Sequence, residues 1–133
     1  MQKVIVTGGA GFIGSNLVEK LIEKGWGVTV LDDLSTGKQE NVHPHAYFVK
    51  TDLSTMKNLE SPRKNVWRLF DGVDVVFHLA AKARVQPSIV DPVSFNKVNI
   101  DGTLNVSATP IPRNERLIQN KIPIVVRAAP ERL

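Results

Sequence analysis

Cysteine is missing from the 133 residues, so disulfides and thiolate-held metals are excluded, and a cytoplasmic setting with no metal site is expected. No apolar run approaches the ~20 residues a membrane-spanning helix needs, so no membrane partner is expected. The opening "MQKVIV" enters an apolar stretch after three residues and leaves no room for a secretory leader. Aromatic residues are scarce, at 6%, which excludes the stacking platforms that hold single-stranded nucleic acid. A net charge of +4 remains. Most of it lies in residues 110–133, where Arg113, Arg116, Lys121, Arg127 and Arg132 outnumber Glu115 and Glu131. The excess belongs to this tail and makes no binding face on the main body, so no nucleic-acid partner is expected.

What is present is ordinary for a globular protein: 42% apolar and 23% charged residues, in a chain long enough for one domain with a core. "KVIVTGG" is a short apolar run ending in glycines, as in a strand buried on both faces. Phe12, Ile13, Leu17, Val18, Leu21 and Ile22 then recur at helical spacing, and Gly25 ends that helix as a C-cap after Lys24. "GVTVLDD" predicts a second buried strand closing at Asp32, which completes a right-handed β-α-β unit with parallel strands. "AYFVKTD" (46–52) predicts a third strand. Ser61 and Pro62 predict a helix start, with Val66, Leu69 and Phe70 as its apolar stripe. "VDVVFHLAA" (73–81) is the most hydrophobic run and predicts a central fourth strand, with His78 packed inside it. Asp91 and Pro92 open a further helix that carries Phe95, Val98, Leu104 and Val106 on or near one face. Alternating strands and helices predict an α/β fold with an open, doubly wound parallel sheet. Beyond Ser107 only "IPIVVRAA" (122–129) suggests a strand.

Between the first strand and its helix lies "TGGAGFIG". It reads as Gly8-x-x-Gly11-x-x-Gly14 or as Gly9-x-Gly11-x-x-Gly14, and under either its glycines allow a tight turn and let the backbone approach a pyrophosphate with no Cβ in the way. The helix that follows points free N–H groups and the positive end of its dipole at that phosphate. An acidic residue about 20 positions on is expected to bind the adenosine ribose, and Asp32 stands there. Its carboxylate would repel a 2′-phosphate and no arginine follows nearby, so NAD is expected rather than NADP. The bland alternative for Asp32 is a solvated turn residue.

With "VTGGAGFIGSNLVEKLIEKGWGVTVLDDLSTGKQENV", "DVVFHLAAKARVQPSIVDP" and "FNKVNIDGTLNV", the sequence resembles the extended short-chain dehydrogenase/reductase family. Within it the likeness is to the NAD-dependent nucleotide-sugar epimerases and dehydratases typified by UDP-glucose 4-epimerase, and it covers residues 1–106. The resemblance implies a partial Rossmann-type NAD-binding domain over 1–106, incomplete on its C-terminal side, and a divergent, basic, proline-rich tail over 107–133. It implies that Gly8, Gly11, Phe12, Ile13 and Gly14 hold the pyrophosphate, and that Asp32, Asp33, Ser35, Thr36 and Gly37 surround the adenosine ribose. Asp52 and Leu53 would flank the adenine, unless Asp52 caps a helix over "STMKNL". Leu79, Ala80, Ala81 and Lys82 would end the fourth strand beside the nicotinamide, and Asn99 would reach it from the next helix or bond within the helix layer. Lys82 and Arg84 would either face the substrate diphosphate or stay as solvated loop charges.

The same resemblance implies a nucleotide-sugar substrate, a hydride passed between sugar C4 and nicotinamide, and usually a homodimer, although this chain lacks most of that interface. The family's acid–base pair is a tyrosine with a lysine four residues later on one helix face. Tyrosine occurs once here, as Tyr47, and the next lysine, Lys50, is three residues on in a predicted strand. No catalytic residue is therefore expected in this chain, which reads as the NAD-binding portion of such an enzyme and inactive alone. The alternatives are a non-catalytic NAD(H)-binding module or a non-functional fragment. Departure from the family pattern begins at Ser107; "IPIVVR" is open to a one-base frame shift that would read Ser-Pro-Ser-Ser-Tyr-Gly, and the alternatives are a truncation, a splice or a genuine tail.

Overall fold

A computed structural model describes residues 1–61, 63–109 and 124–125. Strands β1 (Lys3–Thr7), β2 (Gly27–Asp32), β3 (Tyr47–Asp52), β4 (Lys57–Asn58), β5 (Val75–His78) and β6 (Ile124–Val125) form one sheet in the order β4-β3-β2-β1-β5-β6. All neighbours pair in parallel except β3 with the two-residue β4, which is antiparallel. The chain winds outward from β1 to β3, then crosses back to lay β5 on the other side of β1. Strand order therefore reverses between β1 and β5, and a crevice opens there at the carboxyl ends. The doubly wound parallel sheet expected from the alternating pattern is what forms.

Both faces of the sheet are covered, which explains the unbroken apolar runs of its strands. Side chains alternate across the sheet. Val4 and Val6 of β1, with Val28 and Val30 of β2, pack against Val18 and Leu21 of helix α1 (Phe12–Glu23). Ile5 and Leu31 turn to the opposite face and join Val49, Val66, Phe70, Val76 and Val106. Phe70 is fully buried, and its removal from water contributes about 1.5–3 kcal/mol. Helix α1 ends in paired bonds from Gly25 N–H to Ile22 O (2.8 Å) and Trp26 N–H to Leu21 O (3.1 Å), with Gly25 at φ 78°. That is the left-handed C-terminal cap the sequence called for.

Several expectations need correction. The segment after Ser61 starts no helix there. A 3₁₀ turn over Val66–Phe70 forms instead, because the Asn65 side chain accepts the Trp67 N–H at 3.0 Å and caps it; Pro62 lies outside the described residues. Residues 53–56 are a turn leading into β4, so Asp52 caps no helix. Phe12 and Ile13 do not join the core stripe of α1: they are 86% and 47% exposed at its first turn. Helix α2 (Val85–Val90) was not anticipated. After it, helix α3 (Pro92–Asn96), a π-helical turn over Lys97–Asp101 and helix α4 (Gly102–Ala108) run on as one rod. Asp91 caps the rod by accepting the Ser94 N–H at 3.1 Å, as read from "Asp91-Pro92". Leu104 points outward, 64% exposed, because it lies about 200° around α4 from buried Val106. Of "IPIVVRAA", Ile124 and Val125 form β6, and the remaining positions lie outside the described residues, as does the tail from 110 to 123.

Candidate functional site: a glycine elbow at the carboxyl end of the sheet

Thr7 ends β1 and the chain turns sharply through Gly8, at φ 69°, into the start of α1. A Cβ on Gly8 would fall 2.8 Å from Ala80 N, so the elbow and the end of β5 touch backbone to backbone. Gly11 caps α1 with no side chain to accept the first-turn N–H groups. Among the described residues, a Cβ built on Gly11 would meet only Gly8 O, at 3.3 Å, and the others leave that face open. Open N–H groups, a positive dipole end and an unshielded backbone fit a pyrophosphate. Gly8, Gly11, Phe12, Ile13 and Gly14 all lie at this elbow.

Asp32 closes β2 beside it and is buried. Its Oδ2 accepts Ala10 N–H (3.0 Å) and its Oδ1 accepts Leu34 N–H (2.9 Å). Each oxygen keeps a lone pair that these bonds do not use. Burial pushes the Asp32 carboxyl above the usual carboxylate range, and the Leu34 and Ala10 N–H groups pull it back. The loop that follows folds against the elbow. Ala10 O accepts from Lys38 N–H (3.2 Å) and Asn41 Nδ2 (3.0 Å), and a Cβ on Gly37 would meet Ala10 at 2.8 Å. Asp33, Ser35, Thr36 and Gly37 are thus brought next to Asp32, with Asp33 Oδ1 accepting Ser35 N–H at 2.9 Å. Asp52 ends β3 in a side-chain turn, accepting Ser54 N–H at 2.9 Å. Leu53 is buried in the core, and its carbonyl is held by Asn105 Nδ2 of α4 at 3.0 Å. Sequence reasoning missed Asn105, because nothing in a helix pattern marks which polar residue meets a strand end.

On the far side of the crevice, Leu79, Ala80, Ala81 and Lys82 run off the end of β5. Asn99, inside the π-helical turn, clamps this exit: its Oδ1 accepts Lys82 N–H (2.8 Å) and its Nδ2 donates to Lys82 O (2.9 Å). The Lys82 ammonium donates to Ser94 Oγ and lies 5.6 Å from the Phe95 ring centre. A groove of about 450 Å³ opens here, lined also by Arg84, Val85 and Ser88, with Arg84 held at φ 108°. Tyr47 opens β3 at the opposite end of the sheet, ~17 Å along the strand from Asp52. Among the described residues no group of three His, Asp or Glu side chains could hold a metal, and no helix is long and apolar enough to cross a membrane.

His78 is buried at the end of β5, between Thr7 Oγ1 (2.7 Å from Nδ1) and Thr103 Oγ1 (2.9 Å from Nε2). Burial holds its pKa below the usual 6.5. Below that pH the unfolded chain takes up a proton that folded His78 resists. The stability conferred by His78 is therefore complete above about pH 6.5 and is lost as pH falls through the folded value. Urea midpoints are expected to drop as pH falls below about 6.5, with a shallower drop in His78→Gln; identical slopes in the two proteins would contradict this.

Fold and elbow together define a doubly wound α/β domain of the dinucleotide-binding type. The chain belongs to the NAD dependent epimerase/dehydratase family, whose sequence profile matches residues 4–117. The UDP-glucose 4-epimerase of Mycolicibacterium smegmatis is 38% identical over 106 residues, 80% of this chain and 34% of that protein. The Thermus thermophilus UDP-glucose 4-epimerase, solved in complex with NAD, is 43% identical with a TM-score of 0.64, over 79% of this chain and 32% of that one. The Thermotoga maritima UDP-glucose 4-epimerase, solved with UDP-glucose, is 42% identical with a TM-score of 0.69, over 79% and 32%. This chain spans about a third of the length of these relatives.

Proposed function

We propose that residues 1–106 form the NAD-binding portion of a UDP-glucose 4-epimerase-like nucleotide-sugar epimerase or dehydratase. The bare backbone at Gly11, next to buried Asp32, carries this reading. The first turn of α1 would hold the pyrophosphate, Asp32 and the 33–37 loop the adenosine ribose, and Asp52 and Leu53 the adenine edge. Ala80, Ala81, Lys82 and Asn99 would line the nicotinamide side, and the groove at Arg84 and Ser88 would take the nucleotide-sugar. The bound NAD supplies hydride acceptance and return. The chain's residues orient it: the elbow neutralises phosphate charge through N–H groups, and Asp32 selects the free 2′-hydroxyl. Since the single tyrosine lies at the other end of the sheet, the acid–base step has no candidate among these residues.

Calorimetric titration of the 133-residue chain tests this. NAD+ is expected to bind, and NADP+ to bind at least about tenfold more weakly, because its 2′-phosphate meets the Asp32 carboxylate. Asp32→Ala should cost about 1–3 kcal/mol of NAD+ affinity and narrow the gap to NADP+. Gly11→Ala should abolish binding at a modest cost in stability, since its Cβ would press on Gly8 O at 3.3 Å. UDP-glucose should not be converted to UDP-galactose by this chain alone. Equal binding of the two dinucleotides, or a Gly11→Ala protein that binds normally, removes this reading.

A further inference from the structure

The elbow and the Asn99 clamp belong to different layers of the fold, and one buried residue joins them. Thr7 Oγ1 accepts two backbone N–H groups, from Leu79 (3.0 Å) and Ala80 (3.2 Å). Both of its lone pairs are thereby used, so its own proton points to His78 Nδ1, at 2.7 Å. At the other end, Thr103 Oγ1 lies 2.7 Å from Asn99 O, a carbonyl that only accepts. The Thr103 proton goes there, which leaves Thr103 Oγ1 as acceptor from His78 Nε2. Two independent ends thus demand the same imidazole: neutral, with its proton on Nε2. An imidazole with its proton on Nδ1, or on both nitrogens, would set a third donor against Thr7 Oγ1.

We propose that His78 is a positioning residue, a one-directional relay from Thr7 through Thr103 to Asn99 that fixes the nicotinamide wall of the crevice relative to its pyrophosphate elbow. The coupling rests on the dinucleotide reading given above. At the elbow end, the relay holds Leu79 and Ala80 against Gly8, whose Cα side has no room for movement. At the helix end, it fixes the Asn99 carbonyl inside the π-helical turn, and the Asn99 side chain in turn grips both main-chain groups of Lys82. Interrupting the relay at Thr103 loosens the second wall and leaves the first intact. A ligand that spans both walls then loses affinity, and one that uses only the elbow and ribose side does not.

The experiment uses the whole chain. In the ligand-free protein labelled with ¹⁵N-histidine, His78 should show protonated Nε2 and bare Nδ1 near neutral pH, assigned by its loss in His78→Gln. A protonated Nδ1 overturns the relay. Calorimetry with NAD+ and with ADP then reads the coupling. Thr103→Val should weaken NAD+ about tenfold and ADP less than about twofold, and Thr103→Ser should restore NAD+ binding, since it returns the hydroxyl. Equal losses for both ligands, or none for either, overturn the coupling. A wild-type chain that binds neither ligand overturns the dinucleotide reading and the coupling with it. The tautomer signal of the free protein separates that failure from failure of the relay.

Discussion

Gly14→Ala is expected to cost about 3 kcal/mol or more, a large part of the ~5–15 kcal/mol that holds a domain of this size together. A Cβ at this position would fall 2.2 Å from Gly8 O, 2.8 Å from Gly8 C and 2.8 Å from Gly9 Cα. All three are backbone atoms, so no rotamer change relieves the overlap. Helix α1 cannot back away either, because Val18 and Leu21 lie in the same packed cluster as Val4, Val6, Val28 and Val30. Gly25→Ala provides the contrast. That glycine sits at φ 78° with no described residue within 4 Å of the new Cβ, so alanine there meets the left-handed backbone cost of about 1–2 kcal/mol. Urea unfolding of both variants checks the ordering. A Gly14→Ala protein no less stable than Gly25→Ala would show that helix and elbow are not held this close. In whatever fraction folds, displacing Gly8 O also breaks its 3.1 Å bond from Gly11 N–H, so NAD+ affinity should fall with it.

The elbow was legible in the sequence because its causes are local. Three glycines, a preceding apolar run and an acid 21 residues beyond Gly11 need no knowledge of what lies elsewhere in the chain. The Gly25 cap and the Asp91 cap were legible for the same reason. Strand β4 was not: Lys57–Asn58 carries no apolar alternation and forms because β3 offers it an edge. Competition between two nearby caps misplaced the start of the segment at 66–70, since Ser61-Pro62 and Asn65 are both sound openings and only packing of Val66 and Phe70 chooses between them. The π-helical turn at Lys97–Asp101 was equally invisible, and it matters because Asn99 lies within it. His78 is the packed strand residue its place in "VDVVFHLAA" predicts. Its two hydroxyl partners, 71 and 25 residues away, are set by topology and helix phase, which no window of sequence contains.

Thr7→Val is expected to destabilise the protein by about 3 kcal/mol, although valine keeps the β-branched shape and fills the same space. Thr7 is fully buried, and its hydroxyl is bonded to three groups: Leu79 N–H, Ala80 N–H and His78 Nδ1. In the variant, Leu79 N–H still has Thr7 O, at 3.2 Å. The buried His78 ring nitrogen is left without a partner, and so is the half-buried Ala80 N–H, for about 3 kcal/mol together. Thr51 separates this loss from the generic effect of removing a buried hydroxyl. It is equally enclosed in the neighbouring part of the sheet, but its hydroxyl only donates, to Val49 O at 3.2 Å. Thr51→Val leaves one carbonyl short of a donor, which folded proteins tolerate better than an orphaned N–H. The urea midpoint should therefore fall by about 1–2 M for Thr7→Val and by a small fraction of that for Thr51→Val. Equal shifts would mean that the Thr7 hydroxyl is worth no more than any other. A large gap would mean that β1 and β5 are pinned at the crevice by this one oxygen, and that the two walls of the site share a buried polar hinge.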